Sequence, residues 1–274
     1  MINKCVFPAA GYGTRFLPVT KSVPKELLPI LSRPLIEYAV EEAISAGIQD
    51  QYFIISRYKE SIREYFQNTN QINADLNNST NADSLKRTNE IIDMCKFTYI
   101  NQDEMLGLGH AILMAKNYIG KNPFAVILPD DLCFNYEKSI LAQMNYISEL
   151  YPDKSIVAVE EVSQDQVQNY GIIKGQPINS SKDIFHVSEM IEKPSKENAP
   201  SNMAIIGRYI LQPEIFRELE SVSPDSNGEI QITNALNKLC ISGKVLAYKF
   251  SGIRMDCGRV HGYIDANIFF RDNV

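Results

Sequence analysis

Along the first half of the chain, short apolar runs rich in β-branched and aromatic residues alternate with longer stretches whose apolar residues recur every three or four positions. The first pattern is that of a buried strand and the second that of an amphipathic helix. The runs 5–9, 51–56, 97–100 and 124–128 predict strands, and 35–46, 84–94, 110–118 and 138–150 predict helices. Gly47 and Gly120 sit where helix C-caps belong. Strands interleaved with crossover helices predict a largely parallel sheet. The second half differs. The strand patterns 155–162, 184–192, 203–211 and 244–250 follow one another with fewer helices between them, which predicts antiparallel pairs in a mixed sheet. Helical patterns remain at 213–219, 231–239 and 260–270. No repeat or linker-like stretch divides the chain, and its length leaves room for one large α/β domain or two smaller ones. The segment 68–84, rich in Asn, Ser and Thr, reads as an exposed loop or a weakly helical excursion.

Composition narrows the class. With 45% hydrophobic and 22% charged residues the chain is that of a globular protein. At 274 residues it hides roughly three quarters of its unfolded surface, so folding needs no disulfide or structural metal. The 27 Lys and Arg against 33 Asp and Glu give a net charge of -6 with no basic block, which argues against nucleic-acid binding. Five scattered cysteines form no Cys-x-x-Cys pair and read as reduced, mostly buried thiols of a cytoplasmic protein. No apolar run approaches the roughly 18 residues of a membrane span. The apolar start at 5–10 is broken at once by Gly11, Gly13 and Arg15, too short for a signal-peptide core.

The chemistry begins after the first strand, in Pro8-Ala9-Ala10-Gly11-Tyr12-Gly13-Thr14-Arg15-Phe16-Leu17-Pro18. Small residues at the carboxyl edge of a parallel sheet leave backbone N–H groups free to approach an anion. Phe16 stands where Gly-x-Gly-x-x-Gly needs its third glycine, and no Gly-x-x-x-x-Gly-Lys-Ser/Thr follows, so neither a dinucleotide fold nor a P-loop is supported. Arg15, Lys21 and Lys25 instead place three cations beside the loop, a set suited to a polyphosphate. Asp130 and Asp131 close an apolar strand at the same sheet edge, where hard oxygen ligands suit Mg²⁺. Consecutive strand residues face opposite ways, so the two carboxylates do not easily share one ion. The three histidines, His110, His186 and His261, have no metal-ligand spacing.

Taken together, the residues 9–18 and the run Pro24-Lys25-Glu26-Leu27-Leu28-Pro29 resemble the signature of the sugar-phosphate nucleotidylyltransferases. The resemblance extends through Gln102, Gly107-Leu108-Gly109-His110-Ala111, Asp130-Asp131, Glu192-Lys193-Pro194 and Gly228-Glu229-Ile230-Gln231-Ile232-Thr233 to about residue 258, and is nearest the bacterial branch of the family that uses UTP and glucose 1-phosphate. Leu27, Pro129 and Met255 depart from the family's usual residues. The resemblance implies a single Rossmann-like nucleotide-diphospho-sugar transferase domain over 1–274, an α/β fold with a mixed, mostly parallel sheet flanked by helices. It implies the reaction of UTP with glucose 1-phosphate to UDP-glucose and pyrophosphate, with Mg²⁺ as cofactor, in a homodimer or homotetramer.

By the same resemblance, Arg15 and Lys25 hold the β and γ phosphates, and Lys193 takes the phosphate of glucose 1-phosphate. Gln102 and Gly107 read the uracil, Ala10 and Gly11 lie beside the nucleoside, and Glu26 is a further base contact. Asp130 and Asp256 bind the metal; Asp131, Gly171 and Glu192 lie at the sugar. Such a reaction is an in-line displacement between two anions, which calls for charge neutralisation and alignment and for no protein nucleophile. The rivals are a family member using dTTP or another hexose phosphate, and a silent UDP-sugar-binding regulator. Retention of Arg15, Lys25, Asp130, Lys193 and Asp256 together argues against the silent form.

Overall fold

A strand feeding a loop, then a helix, then a neighbouring strand is the repeating step of the first half. The computed structural model describes residues 2–67, 82–178 and 181–273. β1 (Lys4–Pro8) leads through three 3₁₀ turns and the small ladder of β2 (Pro29–Ile30) and β3 (Arg33–Pro34) into α1 (Leu35–Ser45). Next come β4 (Asp50–Ile55), α2 (Glu60–Tyr65), α3 (Ala82–Met94), β5 (Lys96–Asn101), α4 (Gly107–Met114), α5 (Lys116–Ile119), β6 (Phe124–Ile127), β7 (Asp131–Phe134), α6 (Ile140–Leu150) and β8 (Ser155–Glu161). The remainder is β9 (Gly171–Pro177), β10 (Ile184–Glu192), β11 (Met203–Leu211), α7 (Ile215–Glu220), α8 (Ile232–Ile241), β12 (Val245–Lys249), β13 (Ile253–Asp256) and α9 (Val260–Asn273).

Nine strands form one sheet in the order β5-β4-β1-β6-β11-β8-β12-β10-β9. The sheet is mixed: seven strands run one way and β10 and β11 run against them, so that β5-β4-β1-β6 and β8-β12 are parallel and every antiparallel pair is made by one of these two second-half strands. Alternate side chains enter two cores, one on each face. Val6, Phe124, Val126 and Val157 join one cluster; Cys5, Phe7, Ala125, Ile127 and Ile156 join the other. Strands buried on both faces read as continuous apolar runs, which is why the sequence reveals them well. A third cluster holds the β7–β13 ladder against α9 through Leu132, Met255, Ala266 and Phe270.

Leaving β1, the chain builds β4 and β5 on one side and later returns to place β6 on the other. The carboxyl ends of β1 and β6 therefore flank a topological switch point, where an open α/β sheet has its crevice. A buried ion pair ties this region together. The Arg208 guanidinium on β11 donates to the Glu42 carboxylate on α1 at 2.8–3.0 Å, and Glu42 Oε1 also accepts from the backbone N–H of Leu141 at the start of α6.

Several elements differ from the sequence expectation. The predicted helix 110–118 begins earlier, at Gly107, and breaks at Ala115 into α4 and α5. Its first turn is docked on the segment before α8, with Gly109 N–H donating to Ile230 O at 2.8 Å and Ile230 N–H to Leu106 O at 2.7 Å. The glycines of that turn read as loop formers because the docking is invisible locally. β7, β13 and α2, which are short, and the longer β9 were not predicted; β9 opens on a glycine, contains another and ends on proline, the composition of a turn. Gly47 and Gly120 do close helices, at φ 80° and 69°. Of the Asn-rich segment 68–84, positions 68–81 lie outside the described residues, and α3 starts at Ala82. No helix among the described residues is long and apolar enough to cross a membrane. The cysteines are free: Cys5, Cys240 and Cys257 are buried, Cys95 and Cys133 partly so.

Candidate active site

The loop after β1 is drawn tight by Gly13, at φ 67° and ψ 37°, whose carbonyl accepts from Thr20 Oγ1 at 2.8 Å. A Cβ at Gly13 would stand 3.1 Å from Thr20 Cγ2 and 3.3 Å from Lys25 Cβ, so the loop packs directly on the stem of Lys25. Between this loop and the first turn of α4 lies a cavity of about 430 Å³, whose walls include Ala10, Gly11, Lys25, Gln102, Gly107 and Asp130. Gly107 has φ 87°, and a Cβ there would come within 2.8 Å of Glu229 Cβ; the position excludes other residues twice over. Gln102 is 3% exposed, and its Nε2 lies 2.8 Å from His110 Nδ1.

A smaller cavity, about 160 Å³ and strongly charged, opens beside the first; Arg15, Asp130, Asp131, Tyr170, Arg254 and Asp256 lie in its wall. Asp130 borders both cavities and forms an ion pair with Lys25. Burial works to raise the Asp130 carboxyl, but the Lys25 ammonium overrides it and leaves the group below its ordinary value. Lys25 is likewise held charged by Asp130 and Glu26 against the effect of its own burial. Asp130 does not end a strand but lies in the turn between β6 and β7, and Asp131, the first residue of β7, is held elsewhere: Oδ2 accepts from Gly207 N–H at 2.6 Å and Oδ1 from Arg254 Nε at 2.5 Å. Gly207 occupies the irregular stretch of β11 between Ile205 and Tyr209, where a Cβ would meet Leu128 and Asp131 at 2.8–2.9 Å. The bulge thus lets the backbone approach Asp131. Arg254 also reaches Glu160 at 2.6 Å and lies 4.9 Å over the Tyr170 ring.

Asp256 closes β13. Its Oδ2 accepts from Tyr170 Oη at 3.3 Å and lies 3.3 Å from Arg259 Nε. Burial, with the Asp131 carboxylate nearby, pushes its pKa up despite Arg254. Gly258 shows how close the two candidate metal ligands are, because a Cβ there would be 2.9 Å from Asp130 Oδ2 and 3.1 Å from Asp256 Oδ1. Two carboxylate oxygens converging over a glycine fit a small divalent cation that takes its other ligands from phosphate and water. Among the described residues, no group of three or more acidic, His or Cys side chains is arranged so that it could hold a metal ion.

Gly171, Glu192 and Lys193 form a separate group that touches the small cavity through Tyr170. Lys193 N–H donates to Tyr170 O at 3.0 Å, and its backbone has φ 46°, unusual for a residue with a side chain. Glu192 accepts from Thr233 Oγ1 at 2.7 Å and lies 3.1 Å from Lys193 Nζ, while a Cβ on Gly171 would be 3.3 Å from Glu192 Oε2. Arg15 is exposed at the rim, its Nη1 3.5 Å from Gly258 O.

One expected contact is not in the cavity. Glu26 is 1% exposed, and both its oxygens accept from Lys59 Nζ, at 2.8 and 2.7 Å, so its carboxylate has no face toward a base. Sequence reasoning also missed Lys59, Tyr170, Arg254 and Arg259. Arg254 carried a usable signal, two positions before Asp256 on a strand and therefore on the same face; Lys59 carried none.

These features, a glycine loop at a sheet switch point with two adjoining cavities that share Asp130, accord with the sequence comparison. Residues 4–273 match the sequence profile of the nucleotidyl transferase family, and the chain belongs to that family. Within it, the chain is 50% identical over 275 aligned positions to the UTP–glucose-1-phosphate uridylyltransferase of Pseudomonas aeruginosa, covering 100% of this chain and 98% of that one. Among solved structures, a UDP-glucose pyrophosphorylase complexed with UDP-glucose superimposes with a TM-score of 0.91 at 47% identity, each chain covered in full. A UTP-bound UGPase from Acinetobacter baumannii gives a TM-score of 0.89 at 35% identity, over 98% of this chain and 93% of the other. The α/β architecture expected from the sequence is thus the architecture of those enzymes.

Proposed function

We propose that the protein is a UTP–glucose-1-phosphate uridylyltransferase. The observation that carries this reading is the pair of cavities meeting at Asp130, one with a glycine loop and a buried amide, the other small and charged. Two substrates can lie there with their phosphates adjacent. A phosphate oxygen of glucose 1-phosphate attacks the α-phosphorus of UTP, the bond from that phosphorus to the β-phosphate oxygen breaks, and pyrophosphate leaves with the electron pair. UDP-glucose forms with no covalent enzyme intermediate.

The residues divide the work by charge. Ala10 and Gly11 flank the nucleoside, while Gln102 and Gly107 meet the uracil edge. Lys25 and Arg15 receive the β and γ phosphates and offset the charge that grows on the leaving group. Asp130 and Asp256 would hold Mg²⁺, which supplies positive charge to the reacting phosphates. Glu192 and Lys193 take the sugar hydroxyls and the sugar phosphate, and Asp131 shapes the sugar pocket through Arg254 and Gly207. Glu26 acts beneath the site, through Lys59.

The resemblance to relatives named for UTP and UDP-glucose supports this substrate pair over dTTP. The unbroken sheet from Lys4 to Lys249 supports one catalytic domain over 1–274, and the free thiols support a cytoplasmic location. Exposed Leu31, Ile264 and Ile268 support a homodimer or homotetramer. The deciding experiment is pyrophosphate release with Mg²⁺ and glucose 1-phosphate, comparing UTP with dTTP, ATP, CTP and GTP, with the product identified by mass. UDP-glucose formed from UTP well above the others is the expected result. Preferred use of dTTP would overturn the nucleotide assignment, and binding of UDP-glucose without turnover would make the protein a regulator.

A further inference from the structure

We propose that His110 is a specificity-determining positioning residue: by fixing which way the Gln102 amide faces, it selects uracil against cytosine. The proposal rests on the reading of Gln102 as the base contact. A primary amide offers a ligand one edge, with Oε1 as acceptor and the N–H beside it as donor, while its second N–H points away. In the structure Gln102 Nε2 lies 2.8 Å from His110 Nδ1, and no described residue donates to Gln102 Oε1. With Nδ1 unprotonated, the imidazole takes the outward N–H. Rotating the amide by half a turn would set Oε1 against Nδ1, two acceptors in contact in a pocket where Gln102 is 3% exposed, an arrangement with no hydrogen bond to offset burial.

That matters because the two pyrimidines differ by this same reversal. Uracil presents N3–H as donor beside carbonyl acceptors; cytosine presents N3 as acceptor beside an amino donor. A glutamine free to turn would satisfy either. Held by His110, its edge keeps one order of acceptor and donor. Gly109, the residue before, is docked on Ile230 O at 2.8 Å, so the turn carrying His110 is itself fixed.

The test compares kcat and KM for UTP and CTP, with glucose 1-phosphate and Mg²⁺, in His110→Leu, His110→Asn and Gln102→Leu. His110→Leu is expected to shrink the UTP-over-CTP ratio of kcat/KM by about tenfold or more, with the larger change in KM. Asn, whose Oδ1 can stand in for Nδ1 as acceptor, is expected to restore most of the ratio. An unchanged ratio in His110→Leu, or equal losses with both nucleotides, would overturn the proposal if Gln102→Leu collapses the ratio. If Gln102→Leu leaves it intact too, the base-reading role of Gln102 fails first. A measurement on the unaltered protein is independent of folding defects: imidazole ¹⁵N shifts of His110 with UTP bound are expected to put the proton on Nε2, and a proton on Nδ1 would overturn the idea.

Discussion

Lys25 and Asp130 are the pair on which the two cavities turn, and removing the cation has two consequences of the same sign. On the proposed function the leaving phosphates lose a positive neighbour, and Asp130 loses the charge that holds its carboxyl ionised against burial. Lys25→Ala is therefore expected to lower turnover by about a hundredfold or more, measured as pyrophosphate release, whereas a merely solvated surface lysine would leave it intact. The sequence set Lys25 close behind the glycine loop, where the structure pairs it with Asp130, but its phosphate-binding role was read from the family resemblance, since cations beside a glycine turn are as a rule solvated. Glu26, next to it, was misplaced. A charged residue in a loop reads as a ligand or as solvated, and its partner Lys59 is 33 positions away, so only the folded chain shows that this carboxylate is buried and paired. Arg254 lies between these cases: its spacing to Asp256 was visible, but its bonds to Asp131 and Glu160 depend on three strands meeting.

The short 3₁₀ turn Lys25–Leu27 has no side-chain cap and one buried residue, Glu26, which anchors it to Lys59 just before α2. A turn of three residues has no cooperative stability of its own, so this buried pair holds Lys25 in place. Lys59 shows the strain of the arrangement: burial lowers its pKa even with Glu26 beside it. Lys59→Met is expected to destabilise the protein by about 3–5 kcal/mol in urea unfolding, because it leaves a buried carboxylate unpaired, and replacing both partners with apolar residues is expected to do less harm. If Lys59→Met unfolds at the same urea concentration as the parent, the anchoring role is wrong. Strands with an apolar run of their own were readable, as in β1, β6, β10 and β11. β7, β9 and β13 were not. They are short or glycine-bearing, and their strand character comes from partners rather than from their own composition.

Covering both faces of a nine-stranded sheet encloses not only apolar groups but also thiols and phenols, and the pH dependence of stability follows from that enclosure. Burial pushes the Cys95 thiol up to about 11 and Cys240 to about 12, and raises Cys5 and Cys133 well above their ordinary value. Tyr65, Tyr99 and Tyr209 are shifted upward by burial as well. In the unfolded chain a thiol titrates near pH ~8.5 and a phenol near ~10. Above those values the unfolded state gives up protons that the folded state keeps, so the unfolded state binds fewer protons and stability falls as pH rises. Urea midpoints are therefore expected to decline steadily from about pH 8.5 to about pH 11, with refolding on return to neutral pH. The same enclosure predicts that at about pH 8 a thiol-exchange reagent modifies the native protein much more slowly than the denatured chain, in which all five cysteines react. A flat midpoint across the alkaline range would mean that these groups are hydrated in the native protein, and the two cores would then be less closed than the packing of α1, α6, α7 and α8 against the sheet makes them.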